Sequence, residues 1–245
     1  MDFIFRRSAV SVALLAAGTV SSALCAAEFE EVTHTGDWYV SLGVTIAPDV
    51  KEKTYGPSGS TSYDWKQQKD DVAPRLAIGY LACSGGKLGG WALGTEFVVT
   101  TCEITPATYE AGGLTFSNTS SNHLRYSTVG ATIFGGYEFG INPDDNEIST
   151  FLLFAPFIGG GATRADSEVR DSSGTYANDS GMGWYLEGGL RAGFVITERH
   201  WLGGVLVDFT IGTSEVDVDF GGGRKSTLTL NHIGVGGSLV IGYRL

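Results

Sequence analysis

The feature that most limits what this chain can fold into is a period of two. Segment after segment of about ten residues alternates apolar with polar side chains, the pattern of a pleated strand whose two faces meet different surroundings. "DWYVSLGVTI" sets Trp38, Val40, Leu42, Val44 and Ile46 against Tyr39, Ser41, Gly43 and Thr45. "APRLAIGYLA", "GWALGTEFVVT" and "STVGATIFGGYEFG" repeat the pattern, as do "GWYLEGGLRAGFVI", "WLGGVLVDFTI" and the closing "NHIGVGGSLVIGYRL". "TFLLFAPFIGGGA" is apolar on both faces and leaves its own parity open. Eight strands are expected in all.

The connections alternate too. "CSGGKLG", "INPDDNEIS" and "TERH" are short, whereas the intervening connections are long, polar and rich in Gly, Ser, Thr and Asp. An even strand number with short turns at one end and long loops at the other is the layout of an antiparallel barrel that spans a membrane. No run of 18 apolar residues follows the N-terminal segment, so a transmembrane helix is not expected. A closed barrel is the other structure that satisfies every backbone group in lipid.

Glycine favours the barrel over a soluble sandwich. The chain has 36 Gly and only 6 Pro in 245 residues, and the polar faces carry Gly43, Gly79, Gly94, Gly130, Gly189, Gly193, Gly204, Gly234 and Gly236. Small residues suit the inside of a narrow eight-stranded barrel, where there is room only for side chains. A face turned to water would carry Lys, Glu and Thr instead. Trp38, Trp91, Trp184, Trp201, Tyr80, Tyr137 and Tyr243 lie near strand ends, where interfacial girdles belong.

The start of the chain reads as an export signal: Arg6 and Arg7, an apolar run from about Ala9 to Val20, then small residues before an acidic cluster. Residues 1–26 are assigned to it, 27–36 to a short periplasmic segment and 37–245 to the barrel. Leu24 precedes Cys25 where lipidation wants a small residue, so ordinary cleavage is expected. The formal net charge of −11 argues against nucleic-acid binding, which works through a basic face.

With these strands, the turn asymmetry and the final "GYRL", the chain resembles the small bacterial outer-membrane barrels of the OmpA, OmpX and opacity-protein type from about Gly36 to Leu245. The resemblance implies an all-β, eight-stranded antiparallel up-and-down transmembrane β-barrel in the outer membrane, monomeric, with periplasmic termini. Its partners would be outer-membrane lipids and lipopolysaccharide, the barrel-assembly machinery and periplasmic chaperones, and an extracellular ligand or host surface. Tyr243 and Leu245 occupy the positions of the family's terminal assembly signal, Leu245 in place of the usual Phe. No residue follows the eighth strand, so the cell-wall-binding domain of OmpA is not implied.

Eight titratable residues fall on lumen-facing positions: Arg75, Glu96, Glu138, Glu187, Arg191, Asp208, His232 and Arg244. Counting from the turns places Arg191 nearly opposite Asp208, Arg75 diagonal to Glu96, and His232 close to Asp208. Charges in so narrow a lumen must pair, so an ionic plug is expected, with a gated pore or proton path as the functional alternative. His34, His123, His200 and His232 are dispersed without metal-ligand spacing, and neither a cofactor nor a metal is expected. Lipid-modifying barrel enzymes need a compact Ser/His/acid group. None is visible, so enzyme activity is not expected. Cys83 and Cys102 are placed at opposite ends of adjacent strands, too far apart for a disulfide. "SEVDVDFGGGRKS" reads as a hairpin rising above the membrane, with Glu215, Asp217 and Asp219 solvated. The leading function is structural or surface-interacting through the loops, the alternative is a narrow channel for small solutes, and a lipid-modifying enzyme ranks third.

Overall fold

The computed structural model describes residues 34–56, 59–67, 72–86, 89–117, 123–141, 148–170, 176–198, 200–219 and 225–244. Its strands in chain order are β1 (His34–Ile46), β2 (Asp49–Gly56), β3 (Gly59–Gln67), β4 (Val72–Gly86), β5 (Gly89–Ile104) and β6 (Pro106–Ala111). They continue with β7 (Leu114–Ser117), β8 (His123–Gly140), β9 (Ile148–Arg170), β10 (Tyr176–Glu198), β11 (Trp201–Asp219) and β12 (Lys225–Arg244). The signal segment 1–26 and Leu245 lie outside the described residues. β1 opens at His34, within the segment 27–36 assigned to a pre-barrel stretch.

Eight of these strands close a ring. β1, β4, β5, β8, β9, β10, β11 and β12 pair in that order, and β12 returns to β1. The closing seam sets Asp37 opposite Arg244 and runs up to Val44 opposite Gly237. Along this seam, closure leaves no lipid-facing sheet edge, which a bilayer does not tolerate.

Side-chain parity follows the expectation. Trp38, Leu42, Val44 and Ile46 of β1 and Ile233, Leu239 and Ile241 of β12 point outward and are exposed. Tyr39, Ser41 and Ser238 point inward and are buried. The ambiguous "TFLLFAPFIGGGA" is settled by its place on β9: Phe154 and Ile158 face outward, while Leu153, Ala155 and Phe157 face the lumen. At the end carrying the short turns, Trp38 packs on Tyr80, Trp91 on Tyr137 and Trp201 on Tyr243, with ring centroids 5.2, 5.8 and 5.7 Å apart. Six of the seven girdle candidates therefore gather at this one interface, and Trp184 lies toward the other.

The structure goes beyond expectation at the loop end. Transmembrane strands need only about 9–11 residues, yet β9 and β10 have 23 each. The first and second long loops fold into two hairpins, β2–β3 and β6–β7, which prolong the wall. β2 takes over the edge of β12, pairing Asp49 with Asn231 through Tyr55 with Lys225, and β3 then pairs with β6.

Along this extension the chemistry of the two faces exchanges while the backbone parity continues. On β11 the outward residues Val205, Phe209 and Ile211 give way to Thr213, Glu215, Asp217 and Asp219. The inward residues change from Asp208 and Thr210 to the fully buried Val216 and Val218. β12 does the same, with Leu228 and Leu230 buried inside. Lipid surrounds the lower wall and water the upper, so the apolar face must change sides.

Candidate functional site in the barrel lumen

The lumen is stacked in three layers. At the turn end an apolar cluster contains Leu81, Ala92, Leu153, Ala155, Val195, Leu202, Leu206 and Val240. At the loop end a second one gathers Val50, Trp65, Ile104, Leu124, Tyr126, Val216, Val218, Leu228 and Leu230. Between them lies the charge.

Arg191 on β10 stands directly opposite Asp208 on β11. Its Nε donates to Asp208 Oδ1 at 2.7 Å and its Nη2 to Oδ2 at 2.9 Å. The other side of the guanidinium reaches across the lumen to β5, where Nη1 and Nη2 donate to the Glu96 oxygens at 2.8 and 2.9 Å. Arg75 of β4 completes the ring, donating to Glu96 Oε2 at 3.2 Å and to Asp208 Oδ2. Tyr39 Oη donates to Glu96 Oε1 at 2.8 Å. Two cations and two anions make a neutral, doubly bidentate cluster, the geometry in which a buried charge is tolerated. Arg191 is 1% exposed, Glu96 2% and Asp208 3%, so water does not supply the compensation. The Arg191 guanidinium also lies over the rings of Phe134 and Phe157, 4.8 and 5.7 Å from their centroids, an attraction that strengthens with desolvation.

Of the eight lumen candidates, four meet in this cluster: Arg75, Glu96, Arg191 and Asp208. Glu138 is buried six residues along β5 from Glu96, since Gly90 is its partner, a rise of about 20 Å. His232 and Asp208 line one cavity without being ladder partners. The register gives Asp208 to Gly236, four residues away, and His232 Nε2 lies instead 3.0 Å from Ser214 Oγ. Glu187 approaches Thr132 Oγ1 at 3.5 Å, and among the described residues no ion pair reaches its carboxylate. Arg244 pairs by backbone register with Asp37 at the seam. Cys83 packs against the lower cluster and Cys102 is buried in the upper one, so no disulfide joins them.

Counting charges on the inward face missed the aromatic residues that frame the cluster. Their signal was in the register. Tyr39 is opposite Gly79, Phe134 opposite Gly94, Phe157 opposite Gly189 and Tyr185 opposite Gly161. A Cβ at Gly79 would run into the Tyr39 ring, and one at Gly94 into Phe134. Each of these four aromatics lies across a glycine of the next strand, an arrangement that shields the bare backbone and pins register. The inward glycines thus make room for large rings.

A closed eight-stranded ring with an apolar outer belt, an aromatic interface and a filled polar lumen leaves one architecture. This is the fold of a small outer-membrane β-barrel. No family model and no curated protein sequence matches the chain. Among solved structures it is similar to the outer membrane protease OmpT of Escherichia coli, at 10% identity over 88% of this chain and 99% of that one, with a TM-score of 0.44. It is also similar to the outer membrane protein OprG of Pseudomonas aeruginosa, at 12% identity over 86% and 96%, TM-score 0.39. The attachment invasion locus protein Ail of Yersinia pestis, in complex with the heparin analogue sucrose octasulfate, is similar at 12% identity over 86% and 99%, TM-score 0.33.

Proposed function

We propose that this protein is a surface-interaction barrel of the bacterial outer membrane, without enzyme activity, which presents the extension built by β2, β3, β6, β7 and the upper parts of β8 to β12 to an extracellular ligand or host surface. The observation that carries this reading is the three-layered lumen. Apolar clusters close it above and below the ionic layer, which gives a hydrated solute no polar path, whereas the outer face of the extension is polar and of mixed charge. Lys66 pairs with Glu110, Arg125 with Glu103 and Arg164 with Asp166, all on exposed side chains. Such pairs contribute little to stability and leave a hydrated, two-sign surface suited to contact. The lower wall fits lipid and lipopolysaccharide, and a chain of this kind would need periplasmic chaperones and the barrel-assembly machinery to reach its place.

The test compares cells producing the intact chain with cells producing a variant lacking the β6–β7 hairpin, scored for adhesion to host-cell monolayers. Loss of adhesion with retained heat-modifiable migration is the expected result. Unchanged adhesion together with stepwise single-channel conductance of the purified barrel in planar bilayers would overturn the reading in favour of the narrow channel.

A further inference from the structure

The seam of the barrel is interrupted just above the ionic layer. β1 pairs with β12 up to Val44 opposite Gly237, and pairing along that edge of β12 resumes only at Asn231, with Asp49 of β2. In the interval lies a cavity of about 30 Å³, lined from inside by Arg75, Tyr126, Tyr185, Glu187, Asp208 and His232. Ile46 and Ile233, whose side chains are on the outer wall and exposed, line it as well. The cavity thus reaches from the lumen to the lipid-facing surface.

Its polar lining is out of balance in two independent ways. The hydroxyls of Tyr126 and Tyr185 have no hydrogen-bond partner, although the residues are 0% and 6% exposed. Burying a hydroxyl unpaired is destabilising, so two such groups on residues lining one cavity mark a missing partner. Glu187 has no cation within ion-pair distance among the described residues. The Arg75 charge is taken up by Glu96 and Asp208, and the His232 ring by Ser214. A water molecule would satisfy the hydroxyls and leave the carboxylate charge uncompensated.

We propose that this cavity binds an ammonium group, whose N–H donors go to the Glu187 carboxylate and to the hydroxyl oxygens of Tyr126 and Tyr185. A cavity of this volume holds about one or two groups of water size, which fits –NH₃⁺ and excludes a larger headgroup. One carboxylate with neutral hydroxyls is a poor set for a divalent ion, which takes several carboxylate or carbonyl oxygens. Among the described residues no group of three His, Cys, Asp or Glu side chains could hold a metal. The carbon substituent leaves between Ile46 and Ile233, so a membrane-dissolved primary alkylamine and a small aqueous amine share the site chemistry and differ in route.

The test is calorimetric titration of the full chain, folded in a non-ionic maltoside micelle, with methylammonium chloride and with dodecylammonium chloride, ionic strength being held with sodium chloride. Saturable one-to-one binding is expected, weakened about tenfold or more by Glu187→Gln and by Tyr126→Phe, each removing one acceptor or its charge. Ile46→Trp should weaken only the dodecylammonium arm if the ligand enters from the lipid. Equal weakening of both arms or of neither assigns the aqueous route. Heat-modifiable migration shows that each variant is folded, and Tyr126→Phe carries the test should Glu187→Gln not fold. Absence of saturable binding, binding unaffected by both substitutions, or equal competition by sodium ions would overturn the proposal.

Discussion

Arg191 and Asp208 face each other across the β10–β11 ladder with two hydrogen bonds, at 2.7 and 2.9 Å, and this pair anchors the charged middle of the barrel. Because the same guanidinium also holds Glu96, its removal leaves two buried anions to share one cation, Arg75. Arg191→Met should therefore lower stability by about 3–5 kcal/mol, the cost of breaking a buried ion pair by deleting one partner. The measurement is urea unfolding of the barrel in lipid vesicles. The double variant Arg191→Met, Asp208→Asn, which leaves Arg75 paired with Glu96 and the core neutral, should recover much of the loss, and no recovery would show that packing against Phe134 and Phe157 matters more than charge.

Tyr39 donates the seventh hydrogen bond of the cluster, to a carboxylate oxygen of Glu96. Tyr39→Phe keeps the ring over Gly79 and deletes only the donor. A loss of about 1.5–3 kcal/mol is expected for a hydrogen bond to a charged group, read as a lower urea midpoint at unchanged slope.

Gly94 lies under the Phe134 ring, and any Cβ there collides with it. Gly94→Val should cost about 1–3 kcal/mol by overpacking, and Phe134→Leu in the same chain should relieve part of that. A double-mutant cycle on refolded protein checks this: additive costs would mean that the two residues do not share one space.

The exchange of chemistry between the faces of β11 predicts a position-dependent tolerance of lysine. Val205→Lys, in the lipid-facing belt, should cost about 2–4 kcal/mol, while Glu215→Lys on the same face above it should cost about 0–1 kcal/mol. Equilibrium unfolding from vesicles separates the two, and equal costs would show that the belt extends to Glu215.

Much of this was legible in the residues. The eight long strands, their outward parity and the Arg191–Asp208 and Arg75–Glu96 contacts follow from period-two patterning and from counting back from short turns, because each ladder is antiparallel and local in sequence. The meeting of Glu96 with Arg191 was not legible. It joins β5 to β10 across the lumen, and nothing local to either strand encodes which opposing walls touch. The ladder of β11 with β12 makes Gly236, rather than His232, the direct partner of Asp208, and His232 reaches the same cavity as Asp208 from four residues away. The hairpins β2–β3 and β6–β7 fall in segments whose sequence suggests loops. Their Ser, Thr, Lys and Glu content is that of solvated segments, and only the pairing of β2 with β12 and of β6 with β3 ties them into the wall.

By itself the sequence determined that the chain must close into a membrane-spanning barrel, since alternation without an apolar helix leaves no other way to satisfy its backbone in lipid. It also determined which side chains face out, because the period of two admits no intermediate orientation. Only the tertiary structure decided which charges form the neutral cluster, which are left beside the seam cavity, and that apolar layers close the lumen at both ends. Those outcomes depend on closure and on the tilt of the strands, which bring together residues from opposite walls, and distances across a barrel are written in no single strand.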